Sequence, residues 1–312
     1  MGSVIAAPSL PGWLERALPF GRKALRLRGG PDEGRVLHFL DHGVEGGRAV
    51  FLQHGNPTWS YLWRKVMRLL DPDTFRCVAP DLLGLGLSST LPRVEDHSVE
   101  RHADALGQLI EALGLREVIL VGQDWGGPLV ASLGARYPGR VAGLVLANTS
   151  VLLPARPKGT KFHRFARMPV LSELAFRVGG FPLWTLHQVQ GDPSSISGEV
   201  ARAYRWPLRS MSRRVAPLAL ARMVPDGPDH PSVAALRRGE AWARSFGGPM
   251  SLVWGVRDPV LGKALRWHEE AFPLAQVTLT QAGHFLQEEV PGSLASAIIS
   301  VHQRLQSSPR GG

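Results

Sequence analysis

Residues 118–137 constrain the architecture of this chain more than any other stretch. The apolar run Val118-Ile119-Leu120-Val121 has the length and composition of a buried strand. It leads into Gly122-Gln123-Asp124-Trp125-Gly126 and then into a helical pattern reaching Tyr137. Strand, small-x-nucleophile-x-small, helix is the pattern of a nucleophile elbow, a tight turn that lifts one side chain above the sheet. The flanking glycines permit the strained backbone such a turn needs. Here the lifted side chain is a carboxylate, which is ionised at neutral pH and can attack carbon directly.

The rest of the chain supplies a sheet for that elbow. Short apolar, β-branched segments fall near 24–27, 36–40, 49–53, 75–79, 118–122, 144–147, 251–254 and 277–280. Helical patterns lie near 60–70, 99–113, 126–137, 263–272 and 292–305. The first two strands are closely spaced and predict an antiparallel hairpin. From residue 49 onward the alternation predicts an α/β fold, a mostly parallel eight-stranded sheet covered by helices on both faces. The alternation breaks between 151 and 244, which holds many prolines, aromatic residues and short helical pieces. This predicts a helical cap at 151–244, inserted between core segments 1–150 and 245–312. Residues 306–312 read as a frayed tail.

The 312 residues suffice for such a core with an insertion. No apolar run approaches the ~20 residues that span a bilayer. Residues 1–10 lack the charged start and apolar stretch of a secretory signal. The single cysteine, Cys77, cannot form an internal disulfide and lies in the apolar run 75–79, so it reads as a packing residue of a cytoplasmic protein. The net charge of +10 raises the question of nucleic acid, but no nucleic-acid-binding motif or aromatic ladder accompanies it. Residues 151–230 carry 12 Lys and Arg against 5 Asp and Glu, a net +7. That face is either a solvated basic surface or a surface for self-association or anionic partners.

Three further motifs join the elbow. His54-Gly55-Asn56-Pro57-Thr58-Trp59-Ser60 follows the strand ending at Gln53. Trp254-Gly255-Val256-Arg257-Asp258 places a carboxylate just past a late strand, and Gly283-His284-Phe285-Leu286-Gln287-Glu288 follows the last strand. Nucleophile, acid, base is the chain order of an α/β-hydrolase triad. Together with Gly122-Gln123-Asp124-Trp125-Gly126-Gly127, these motifs resemble those of the haloalkane dehalogenases. The resemblance runs from about 24 to 305 and is weakest in the cap. It implies an α/β-hydrolase fold and hydrolysis of a small halogenated hydrocarbon to alcohol and halide, with no cofactor and no metal.

The resemblance also implies roles. Asp124 attacks the carbon bearing halogen and forms an alkyl ester. His284 activates the water that hydrolyses the ester, and Asp258 orients His284 and stabilises its charged form. The backbone N–H groups of Asn56 and Trp125 form the oxyanion hole. The side-chain amide of Asn56 and the indole N–H of Trp125 hold the departing halide. The family places its acid after either of two strands. Asn148 occupies the other position and cannot serve as a charged partner, which favours Asp258. Since Asn56 serves as a donor, Trp184 in the cap need not be a halide ligand. The combination resembles a subfamily whose members tend to form oligomers.

Other readings compete. Epoxide hydrolysis needs an alkoxide protonated, usually by two cap tyrosines; of Tyr61, Tyr137 and Tyr204 only the last lies in the cap. Fluoroacetate hydrolysis needs cations beside the nucleophile, where Trp125 stands. A non-catalytic binding protein on a retired hydrolase fold would normally have lost a triad member. His54 reads as a brace for its own loop and Asp81 as a pin for the turn 80–84. His97, His102 and His268 have no metal-ligand spacing and read as surface residues. Phe162, Phe165, Leu171, Phe176, Trp184 and Leu218 are candidate walls of the substrate pocket.

Overall fold

A computed structural model describes residues 2–307. Its sheet has nine strands: β1 (Ser3–Ala6), β2 (Gly21–Arg26), β3 (Val36–His42), β4 (Arg48–Gln53), β5 (Phe75–Pro80), β6 (Val118–Asp124), β7 (Val141–Thr149), β8 (Met250–Gly255) and β9 (Gln276–Thr280). They lie in the order β1-β2-β3-β5-β4-β6-β7-β8-β9. β1, β2 and β3 form an antiparallel meander, and β3 pairs antiparallel with β5. Every pairing from β5 through β4 to β9 is parallel. The expected eight strands and the hairpin are present. The ninth, β1, is a four-residue edge strand without a buried side chain, so it lacks the hydrophobic pattern that betrays the others.

The central strands β4 and β6 are apolar and buried on both faces, as a sheet covered by helices requires. Helix α1 (Val99–Ala112) starts where the Ser98 side chain accepts from Arg101 N, and it turns Val99, Ala103, Leu106 and Ile110 inward. Helix α2 (Gly126–Arg136) emerges from the elbow after β6. The stretch between β7 and β8 contains no strand among the described residues. It includes α3 (Gly198–Arg205), α4 (Val215–Arg222) and α5 (Val233–Ser245). Of these, α5 packs along α2 on the flank of the sheet. Helix α6 (Leu265–Ala271) follows β8, and α7 (Pro291–Ser307) closes the described chain against β7 and β8. Gln306 and Ser307, expected in a frayed tail, belong to α7; residues 308–312 lie outside the described residues.

A buried polar knot ties the insertion to the core. Glu288 pairs with Arg64 and Lys65 and accepts from the hydroxyl of Tyr204 on α3, while Trp59 Nε1 donates to Ala203 O at 3.2 Å. Cys77 is buried, and burial pushes its thiol up to about 12, as suits a packing role. No helix among the described residues is long and apolar enough to cross a membrane.

His97, His102 and His268 are buried, contrary to the sequence reading. His102 lies on the inward face of α1, and its Nε2 meets His97 Nδ1 at 3.1 Å. His268 holds Ala264 O through Nδ1 and accepts from Val151 N at Nε2. Burial lowers all three pKa values, bringing His97 to about 4, so these rings sit neutral inside the protein.

Candidate active site

The elbow forms at the end of β6. Asp124 has φ 52°, a left-handed conformation that a residue with a side chain adopts only where its surroundings hold it. The turn closes so tightly that a Cβ at Gly126 would run into the backbone carbonyl of Gln53. This is the physical reason a residue without a side chain stands two positions after Asp124. The loop after β4 faces the turn, and Asn56 N donates to Asp124 Oδ1 at 2.7 Å. Trp125 caps α2, so its N–H is among those without an intrahelical acceptor.

His284, after β9, lies between the two carboxylates. Its Nε2 is 3.6 Å from Asp124 Oδ2, an ion-pair distance longer than a hydrogen bond, and its Nδ1 is 2.9 Å from Asp258 Oδ2. The other oxygen of Asp258 accepts from Val260 N at 2.7 Å. Burial by itself would push the imidazole down. The charge of Asp258, helped by Asp124, overrides burial and raises His284 to about 10. Asn148 spans the loops behind the histidine. Its Nδ2 donates to Gly283 O at 2.7 Å and to His284 O at 3.3 Å, and its Oδ1 accepts from Gly255 N at 2.9 Å. Gln123, beside Asp124, donates to His284 O at 3.1 Å.

The side-chain donors of Asn56 and Trp125 both turn toward α4. Asn56 Nδ2 donates to Pro217 O and Trp125 Nε1 to Leu220 O, each at 3.0 Å. One helix of the insertion therefore lies directly over the elbow. Phe162, Phe165, Phe176 and Leu218 converge with Ala166, Ala221 and Phe181 in a small apolar cluster of the insertion. Leu171 and Trp184 do not join it; they are 49% and 57% exposed, and the Trp184 indole is spent on Gly179 O.

The neighbouring polar groups are structural. His54 Nδ1 donates to Gly55 O at 2.8 Å and Nε2 accepts from Leu82 N at 3.0 Å, which uses both ring nitrogens. Burial lowers its pKa and keeps it neutral. Asp81 accepts from Ser60 N, Leu87 N and the His38 ring, and so pins two turns at once.

Comparison with known proteins places the chain in a family. Residues 48–291 match the family model described as the alpha/beta hydrolase fold. The haloalkane dehalogenase of Mycolicibacterium paratuberculosis is 33% identical over 276 residues, covering 86% of this chain and 88% of the relative. The chain belongs to the haloalkane dehalogenases. Haloalkane dehalogenase 2 of Mycobacterium tuberculosis is 34% identical over 281 residues, 85% of this chain and 91% of that protein. The haloalkane dehalogenase DatA of Agrobacterium tumefaciens superimposes with a TM-score of 0.80 at 27% identity, covering 93% of this chain and 99% of that one. The structure of haloalkane dehalogenase DpaA of Paraglaciecola agarilytica, described as tetrameric, gives 0.79 at 25% identity, covering 96% and 98%. The dehalogenase is a hydrolase acting on carbon–halide bonds.

Proposed function

We propose that dehalogenation proceeds through a covalent ester on Asp124. The observation that carries this reading is the placement of His284 between Asp124 and Asp258, with Asn56 N on the nucleophile. Asp124 Oδ attacks the carbon bearing halogen. The carbon–halogen bond breaks with its electron pair on the halide, which leaves unprotonated, so no general acid is required. Water then attacks the carbonyl carbon of the ester while His284 takes its proton. Asn56 N and Trp125 N–H hold the negative charge that develops on the ester oxygen.

The pKa of His284 gives the two steps an order. In the free enzyme two carboxylates keep the imidazole protonated. Esterification of Asp124 removes one of those charges. The pKa of His284 falls, its proton leaves to solvent, and the ring becomes a base at the stage that needs one. Hydrolysis returns the proton and the carboxylate together, so one proton is released per halide.

The halide site requires a rearrangement. The donors of Asn56 and Trp125 hold carbonyl oxygens of α4. In this scheme α4 withdraws as substrate enters, and the halogen replaces those oxygens. The insertion, read as 151–244, acts as the cap, while α5 stays with the core through its packing on α2. By analogy with DpaA, self-association of this chain is part of the proposal. A cytoplasmic setting is also proposed, supported by the single buried thiol.

The epoxide alternative is disfavoured by its acids. Tyr137 donates to Glu111, Tyr204 to Glu288, and Tyr61 lies beneath the Arg64 guanidinium. The test is His284→Phe incubated with a bromoalkane. Intact protein mass should rise by one alkyl group on Asp124; a protein that stays unmodified contradicts the covalent mechanism.

A further inference from the structure

The loop carrying His284 is buried, yet it has no regular secondary structure to satisfy its backbone. Such a loop must find partners for each polar group. Two of its three N–H groups go to the inserted segment and the third to Glu289, further along its own segment. Gly283 N donates to Glu289 Oε1 at 2.9 Å, His284 N to Val189 O at 2.8 Å, and Phe285 N to Gln190 Oε1 at 2.8 Å. The amide of Gln190 also returns a bond, Nε2 to Phe285 O at 3.2 Å. Glu289 holds the other side of the seam, accepting from Gly191 N at 3.0 Å and Asp192 N at 2.9 Å. The two backbones approach so closely that a Cβ on Gly283 would overlap Val189 O and Gln190 Cα. Residues 189–192 belong to the inserted segment, while 283–289 belong to the core. Gln190 is itself buried and reaches Ser195 Oγ at 3.1 Å with its remaining donor.

We infer that Gln190 is a positioning residue for His284, with Glu289 as its partner across the seam. The strap 189–192 sets the backbone of the base loop from one side, while Asn148 and Gln123 fix its carbonyl groups from the other. The imidazole can then point at Asp124 only while the strap is seated. This inference rests on the ester mechanism above and deepens it. The alkylation half-reaction does not use His284, so loosening the strap spares it. The hydrolytic half-reaction uses His284 as base, and a displacement of about 1 Å there can cost up to about 10² in rate. A purely structural role would depress both steps together.

The experiment is a rapid-quench single turnover of a bromoalkane by the full chain, followed by intact mass, for the unsubstituted enzyme, Gln190→Met, Gln190→Glu and Glu289→Gln. Met matches the length of Gln without its donor or acceptor. For Gln190→Met, alkyl-enzyme should form within about twofold of the unsubstituted rate, while its hydrolysis slows by about tenfold or more. Gln190→Glu retains an acceptor for Phe285 N but sets a carboxylate oxygen against Phe285 O, so hydrolysis should stay slowed while alkylation is again spared. The pH midpoint of hydrolysis should move in Gln190→Met, because the seating of His284 against Asp258 changes. Should Gln190→Met not fold, Glu289→Gln provides the same split from the other side of the seam. Unchanged hydrolysis in the folded variants, or a parallel fall in both steps, overturns the inference. An unsubstituted enzyme that never forms the adduct instead overturns the ester mechanism, and the inference with it.

Discussion

Asp258→Asn is the substitution that most sharply separates the two halves of the proposed reaction. Asp258 is buried, with Oδ2 2.9 Å from His284 Nδ1 and Oδ1 held by Val260 N. Asparagine can keep the Val260 bond through its oxygen, but it then presents an amide N–H to Nδ1. The imidazole must accept there, so its proton moves to Nε2 and points at Asp124. A ring in that tautomer cannot take a proton from water. The imidazolium that forms during hydrolysis also loses its charged partner. Two unit charges ~4 Å apart at an effective dielectric of 20 interact by about 4 kcal/mol, which is about 10³ in rate. Hydrolysis of the alkyl-enzyme should therefore slow by about 10³, and alkylation should stay within about threefold because Asp124 needs no base. Rapid-quench mass spectrometry would read both rates. Equal losses in the two steps, or hydrolysis slowed by less than about tenfold, would refute the role of Asp258. Adding Asn148→Asp should not rescue the variant. The Asn148 amide faces two carbonyl oxygens, and a carboxylate there would be repelled rather than offered to His284.

Asn56→Ala should slow carbon–halogen cleavage by about 10², the usual loss for one transition-state donor, with single-turnover halide release as the readout; an unchanged rate contradicts its role. Hydrolysis of the alkyl-enzyme should speed up as pH rises and level off with a midpoint below about 10, because the ester lacks one of the two charges that raise His284 in the free enzyme. Acidification through that midpoint should accumulate alkyl-enzyme, and a hydrolysis rate that is flat with pH would contradict the assignment of the base. Arg64→Leu leaves the Glu288 carboxylate buried without its main partner and should cost ~3–5 kcal/mol in chemical denaturation; a loss under ~1 kcal/mol would show that Lys65 and Tyr204 suffice. Burial opposes the charge on Glu288, but Arg64 holds its carboxyl below the usual 4.5, so its stabilisation is present above that value and fades as pH falls through the lower folded pKa.

The parts of the site that could be read in advance are those whose chemistry is local in sequence. The elbow, the Asn56 loop, Asp258 and His284 each sit directly after an apolar strand, so strand position and residue type together announce them. The geometry of Asp124, Asn56, His284 and Asp258 has them converging as that order implies. Part of what the sequence leaves unread depends on contacts over long sequence separations. The Phe285–Gln190 bond joins residues 95 apart, and nothing near Gln190 suggests a partner. His102 looked like a surface residue because it can ionise, yet α1 turns it inward against His97. The strand β1 is hard to read because its edge residues bury no side chain: three are exposed and Ile5 is half-buried. The engagement of the Asn56 and Trp125 side-chain donors by α4 is likewise not legible in the sequence, since it depends on how the insertion settles over the core.

The central claim is that an oxygen of Asp124 becomes covalently joined to substrate carbon and is afterwards exchanged with water. A single turnover in ¹⁸O-labelled water, followed by peptide mass spectrometry, tests it directly. Because water attacks the ester carbonyl, one heavy oxygen should appear in the Asp124 carboxyl group and unlabelled oxygen in the first alcohol released. Label found only in the alcohol, with Asp124 unlabelled, would mean that water attacks the substrate carbon itself and would contradict the account.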